Sequence, residues 1–89
     1  MEKIICSAIK FQILNSEYFQ IMCGLRHADV FELMFHQKIE YNRKTHIQGF
    51  LTSSDRFVDR YEAAEIALKS GQITDNSIRM LYSEDIWSE

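Results

Sequence analysis

The strongest constraint in this chain is a bracketed segment in its last third. Asp59 stands three residues before Glu62, and Gly71 follows the run Glu62-Ala63-Ala64-Glu65-Ile66-Ala67-Leu68-Lys69. An Asp with a Glu three residues later is a helix start, because the carboxylate accepts hydrogen bonds from the unpaired N–H groups of the first turn. The interior consists of good helix formers, and glycine supplies the left-handed residue that closes a helix. A helix bounded by Asp59 and Gly71 is therefore expected. Its face of Ala63, Ile66 and Ala67 is narrow and suits close packing on a sheet. No linker fits before it. Gln48-Gly49-Phe50-Leu51-Thr52 and Arg56-Phe57-Val58 read as two short strands around the turn Ser53-Ser54-Asp55.

The first half repeats the plan. Residues 4–11 read as a strand, with Ile5, Ser7, Ile9 and Phe11 on one face and Ile4, Cys6, Ala8 and Lys10 on the other. Asn15-Ser16 is a turn signal, residues 18–23 are a second β-prone run, and Gly24 ends it. A helix is expected over about residues 27–38, with Phe31, Met34, Phe35 and Ile39 at helical spacing and a second D-x-x-E start in Asp29 and Glu32. Residues 40–46 are polar and connect. Arg79-Met80-Leu81-Tyr82 has the composition of a last short strand, and residues 83–89 form an acidic tail carrying the only tryptophan, Trp87. The order is ββαββα with a C-terminal strand as an option. That is an α+β domain: a small antiparallel sheet with two helices.

With 89 residues, the chain has room for one core, so residues 1–89 read as a single domain. A domain this small is marginal alone and gains from a partner subunit. Cys6 and Cys23 are too few for a disulfide framework or a zinc site, and buried free thiols in a reducing compartment are expected. The net charge of −3 argues against a duplex nucleic-acid binder, yet leaves room for a small anion gripped by local arginines. No apolar run approaches the ~20 residues of a membrane span. Met1-Glu2-Lys3 leads into a strand-like segment without a cleavage signal, so a cytoplasmic protein is expected. There is no Gly-rich phosphate loop, nucleophile elbow or metal-binding helix motif. His27, His36 and His46 lack the spacing of a metal site. Neither enzymatic activity, nor a cofactor, nor a metal is expected.

Three constellations could carry a ligand. Arg26-His27 precedes the first helix, where free N–H groups and the helix dipole favour an anion. Arg56-Phe57-Val58-Asp59-Arg60 places two arginines around an aromatic at a strand-to-helix junction, suiting a phosphate and a stacked base. Leu81-Tyr82-Ser83-Glu84-Asp85-Ile86-Trp87 sets hydroxyl and carboxylate groups between two large aromatics, where a ribose or amino group could be read. Each has a structural use open to it as well: solvated arginines, a core Phe57, a packed tail.

The second half also has a motif series: Gly49-Phe50-Leu51, then Phe57, Arg60, Glu62-Ala63 and Ile66-Ala67, then Gln72-Ile73, then Leu81 to Trp87. In this it resembles the first of the Thoeris anti-defence families, small phage proteins that act as sponges. The first half is similar more loosely, through an Ile/Cys-rich opening strand and Arg26-His27-Ala28-Asp29 at a helix start. The resemblance implies a protein that binds cyclic ADP-ribose isomers and sequesters them uncleaved. It further implies homodimers or higher oligomers with pockets shared between subunits, and in some members cyclic oligonucleotide binding. By motif position the ligand contacts would be Arg26, His27, Phe57, Arg60, Ser83, Glu84 and Asp85, with Arg79 as a further phosphate contact. Leu81-Tyr82 stands where Leu-Phe is usual, Asp55-Arg56 stands where a Gly-polar pair is usual, and the segment before the last motif is short. A protein-interaction module that inhibits a host protein is the alternative reading.

Overall fold

A computed structural model describes residues 1–87; the last two residues of the acidic tail lie outside the described residues. Four strands, β1 (Ile4–Gln12), β2 (Phe19–Gly24), β3 (Ile47–Thr52) and β4 (Phe57–Asp59), form one antiparallel sheet in the order β2-β1-β3-β4. Helices α1 (His27–His36) and α2 (Arg60–Ser70) follow the two hairpins, and a one-turn α3 (Ser83–Ile86) ends the described chain. The expected α+β class and the ββαββα order hold. Residues 79–82 pair with no strand, so the optional C-terminal strand does not form, and the acidic tail after it begins with the short helix α3.

The helices share one face of the sheet. Phe50 and Val58 pair across β3 and β4 and pack under Ala63, Ala64, Ile66 and Ala67 of α2, with Ile4, Ile73 and Leu81 completing that cluster. Ile9 and Phe11 of β1 pack with Val30 and Met34 of α1 in a second cluster. The alternation in β1 is not strict. A register shift between Ile4 and Cys6 makes Ile5 the extra residue and turns Ile4 to the helix side, which is why Ile4 is buried and Ile5 exposed. Gln72, just past α2, fixes this end of the strand: its carboxamide accepts from the Ile4 N–H at 2.8 Å and donates to the Ile4 carbonyl at 2.7 Å.

α2 starts and stops where its sequence dictates. The Asp59 carboxylate accepts from the Glu62 N–H at 2.9 Å, and Gly71 caps the far end at φ 82°, in the left-handed region. The turn before β4 is tied down from the chain start, where the Glu2 carboxylate takes a two-point salt bridge from Arg56 at 2.7 and 2.8 Å.

The other face of the sheet has none of the described helices on it. The register lays it out in rows: Ile21, Lys10 and Ile47; then Cys23, Ala8, Gly49 and Asp59; then Cys6, Leu51 and Phe57. Gly49 sits where the Phe57 ring crosses the sheet, and a Cβ there would lie 2.6 Å from the ring and 2.1 Å from the Val58 carbonyl oxygen. Both cysteines are on this face. Burial, and then the neighbouring Cys23 thiol, push the Cys6 thiol up to about 11.

Candidate functional site

Where β3, the starts of α1 and α2, and α3 meet, residues far apart in sequence converge. His27, the first residue of α1, turns inward and is only 6% exposed. Its Nε2 donates to the Gly49 carbonyl at 2.7 Å. A carbonyl can only accept, so the proton is on Nε2 and Nδ1 is the acceptor. Nδ1 faces the Ser83 hydroxyl at 3.5 Å, a long hydrogen bond from the first residue of α3. The imidazole packs edge-on against Phe50, with ring centroids 4.9 Å apart. Burial lowers the His27 pKa, the Arg60 charge adds to this, and the Gly49 contact and Glu84 oppose it. His27 is therefore the neutral tautomer near pH 7.

Arg60 opens α2 and holds the chain that returns to it. Its guanidinium donates to the Leu81 carbonyl and to the Gln48 side-chain oxygen, each at 2.7 Å. The Arg60 carbonyl in turn accepts from the Leu81 N–H at 2.9 Å. The same guanidinium lies 4.4 Å over the Tyr82 ring, a cation–π contact. Burial lowers the Arg60 pKa, opposed by Tyr82, Glu84 and Asp85, and arginine stays charged regardless. Arg26, the cap residue of α1, donates to the Trp87 carbonyl at 2.8 Å. Trp87 packs onto the cluster under α2, 6.3 Å from the Phe50 ring. Asp85 accepts from the Tyr82 N–H at 2.9 Å and so closes the turn of α3.

Six of the eight candidates thus come together: Arg26, His27, Arg60, Ser83, Glu84 and Asp85. Ser83 is buried inside the cluster, and Glu84 and Asp85 are exposed at its rim. Phe57 is elsewhere, on the opposite face of the sheet over Gly49. Arg79 is also apart from the cluster. It lines an open groove of about 820 Å³ with Asp59, Tyr61, Glu65, Leu68 and Ile78 on the outer side of α2. Gln48 was absent from the candidates, since a lone glutamine in a strand carries no local signal. Tyr82 and Trp87 were visible in the sequence as large aromatics flanking the acidic stretch, and both belong to the site.

The arrangement gathers hydrogen-bond donors, acceptors and aromatic faces. Two guanidiniums, a stacked phenol ring and an indole surround a short backbone segment, with two carboxylates beside them. The Ser83 hydroxyl next to the imidazole has the residue types of a nucleophile and base, but at 2% exposure it is walled off from a substrate. Among the described residues, no group of three or more His, Cys, Asp or Glu is placed to hold a metal ion, and no helix is long and apolar enough to cross a membrane.

A family model described as phage T4 y16D protein matches residues 3–87, nearly the whole chain. No curated protein and no solved structure matches it. The chain belongs to the phage T4 y16D protein family.

Proposed function

We propose that this phage-family protein binds a small anionic cyclic nucleotide of the cyclic ADP-ribose class and sequesters it uncleaved, as an anti-defence sponge of the Thoeris type in the host cytoplasm, acting as a homodimer or higher homo-oligomer. The observation that carries this reading is the meeting of Arg26 and Arg60 around Tyr82 and Trp87. An Arg fork suits phosphate oxygens, and an exposed phenol ring suits the face of a base. Tyr82 is 46% exposed, so one of the two stacking surfaces is open to solvent. Glu84 and Asp85 at the rim are acceptors of the kind that ribose hydroxyls and an exocyclic amine need. Sequestration needs tight binding and slow release, and no chemistry. The enclosed Ser83–His27 pair fits a strut between α1 and α3 better than a hydrolytic centre.

The test is a thermal-shift screen against cyclic ADP-ribose isomers and cyclic di- and trinucleotides, followed by heat release and mass spectrometry of the ligand. A raised melting temperature with one of these, and recovery of the same mass, is expected. No shift with any of them defeats the reading, and an altered mass replaces it with an enzymatic one. Tyr82→Ala should lose the shift while keeping the fold, since the ring is half exposed. The second reading, an inhibitor that docks on a host protein, is favoured by the apolar face of the sheet opposite the helices. Capture of one defined host protein, with no nucleotide-induced shift, would support it.

A further inference from the structure

Residues 37–46, between α1 and β3, carry three basic side chains, Lys38, Arg43 and Lys44, against one acidic, Glu40, on a chain whose net charge is −3. Among the described residues, no carboxylate forms a salt bridge with any of the three. Unneutralised cations gathered on an acidic protein favour an anion. Here they stand among rings. His46 lies edge-on to both Phe31 and Tyr41, with centroids 5.7 and 5.9 Å away, and Tyr41 meets the buried Phe11 at 5.6 Å. The Arg43 guanidinium lies 5.0 Å over the Tyr41 ring. Phe35, on the last turn of α1, is 78% exposed. A cavity of about 340 Å³ opens between these groups, walled by Phe31, Phe35 and Tyr41, with Lys38, Glu40 and Arg43 in its polar lining.

The loop is tied down, so the rings are preset. The Leu14 N–H donates to the Glu40 carbonyl at 3.0 Å, and the Asn42 N–H donates to the Gln12 carbonyl at 2.9 Å. His46 Nδ1 donates to the Arg43 carbonyl at 2.9 Å. One residue is strained. Lys38 follows the helix at φ 56°, in the left-handed region where glycine is the usual occupant after a helix. A glycine would relieve that strain, whereas lysine sets a charge beside the cavity.

We propose that this cavity takes an unpaired nucleotide of a linear single-stranded nucleic acid, its base stacked among the rings and its phosphates held by Lys38 and Arg43. An aromatic face accepts any base, and lysine and arginine take phosphate oxygens, which together make a strand site with little sequence preference. A paired base has no free face to offer, so a duplex is refused. An acidic peptide meets the same charges, but few of its side chains bring a flat face to the stack of Arg43 on Tyr41. The site shares no residue with the cluster around Arg26 and Arg60, so it stands or falls apart from the proposed function.

The experiment is fluorescence anisotropy at low salt with end-labelled oligouridine and oligothymidine dodecamers and a duplex of the same length. Wild type should bind both single strands saturably and the duplex at least about tenfold more weakly. Phe35→Ala should weaken strand binding by about tenfold, through loss of one stacking face. Arg43→Gln should weaken it and lower the salt slope by about 0.7, the share of one phosphate contact on a single strand. Lys38→Gly separates a structural role from a binding one: it should melt no lower than wild type and still lose affinity and salt slope together. An excess of unlabelled cyclic dinucleotide should leave the strand bound. Absence of strand binding, or equal binding of the duplex, overturns the inference and leaves the proposed function standing. Binding that survives Phe35→Ala and Arg43→Gln, or that the cyclic dinucleotide displaces, overturns it by moving the strand to another surface. A wild type that ignores both strands and binds a glutamate–tyrosine copolymer overturns it in favour of an acidic protein partner.

Discussion

His27 shows how one side chain settles a local question of charge. The Gly49 carbonyl fixes a proton on Nε2, burial keeps the ring neutral, and Nδ1 is left to face the Ser83 hydroxyl. Its folded pKa is lowered from the usual 6.5, so the unfolded chain binds the proton more readily. The stability this contributes is complete above about the usual value and is lost as pH falls through the folded pKa. Urea unfolding at pH 7.5 and pH 5.5 should therefore show wild type weaker at the lower pH, with the difference reduced in His27→Gln, whose amide can still donate to Gly49. An unchanged pH dependence in His27→Gln would mean that another group sets it. Gly49 gives a second residue-level test. A methyl group there meets the Val58 backbone at 2.1 Å and the Phe57 ring at 2.6 Å, and the backbone contact has no room to yield. Gly49→Ala should cost more than ~3 kcal/mol in chemical denaturation, or fail to fold. That His27 and Arg60 stand at helix starts was legible, because each follows a strand-like run and precedes a helical one. Their partners were not, since Gly49 and Gln48 become meaningful only once β3 lies against both helix starts.

At the scale of elements, local signals decided what could be read. α2 carries its own start and stop, and each is used: Asp59 caps the first turn and Gly71 adopts φ 82°. Gly71→Ala should cost ~1 kcal/mol in thermal or urea unfolding, because a Cβ there has space but is strained at positive φ. A neutral result would show that the cap is frayed in solution. α3 is the opposite case. Four residues cannot form a helix on local propensity. This one exists because Leu81 is buried before it, Arg60 grips the Leu81 backbone, and Trp87 packs after it. The Arg60 contact with Leu81 spans 21 residues, so composition alone suggested only an acidic tail at Ser83–Ile86, after a short strand over residues 79–82. The shift in β1 was hidden for a similar reason. Ile4 and Ile5 are the same residue type, and only pairing with β3 shows which of them turns inward.

At the scale of the molecule, the helix face holds two separate apolar clusters, one under α2 and one under α1. The candidate site lies at the seam. Arg26 belongs to the start of α1 but donates to Trp87, which packs on the α2 cluster, and His27 touches Phe50 of that same cluster. Convergence of the candidate arginines was therefore not readable from the chain, because it depends on how two hairpin–helix halves are set side by side. What was readable is that both halves end a strand just before a helix and place an Arg at the start of that helix. The seam makes a prediction about coupling. Arg26→Ala removes a charge-assisted bond between the halves while leaving both clusters intact, a loss of about 1.5–3 kcal/mol if the bond contributes fully. Amide exchange in α1 should then speed up by about tenfold or more, since ~1.4 kcal/mol corresponds to a factor of ten, while α2 should keep its protection. Equal acceleration in both helices would mean that the molecule opens only as a whole and that the seam is no boundary. A ligand held by Arg26 and Arg60 together would act in the opposite direction, slowing exchange in α1 most, because it would bridge the same two halves.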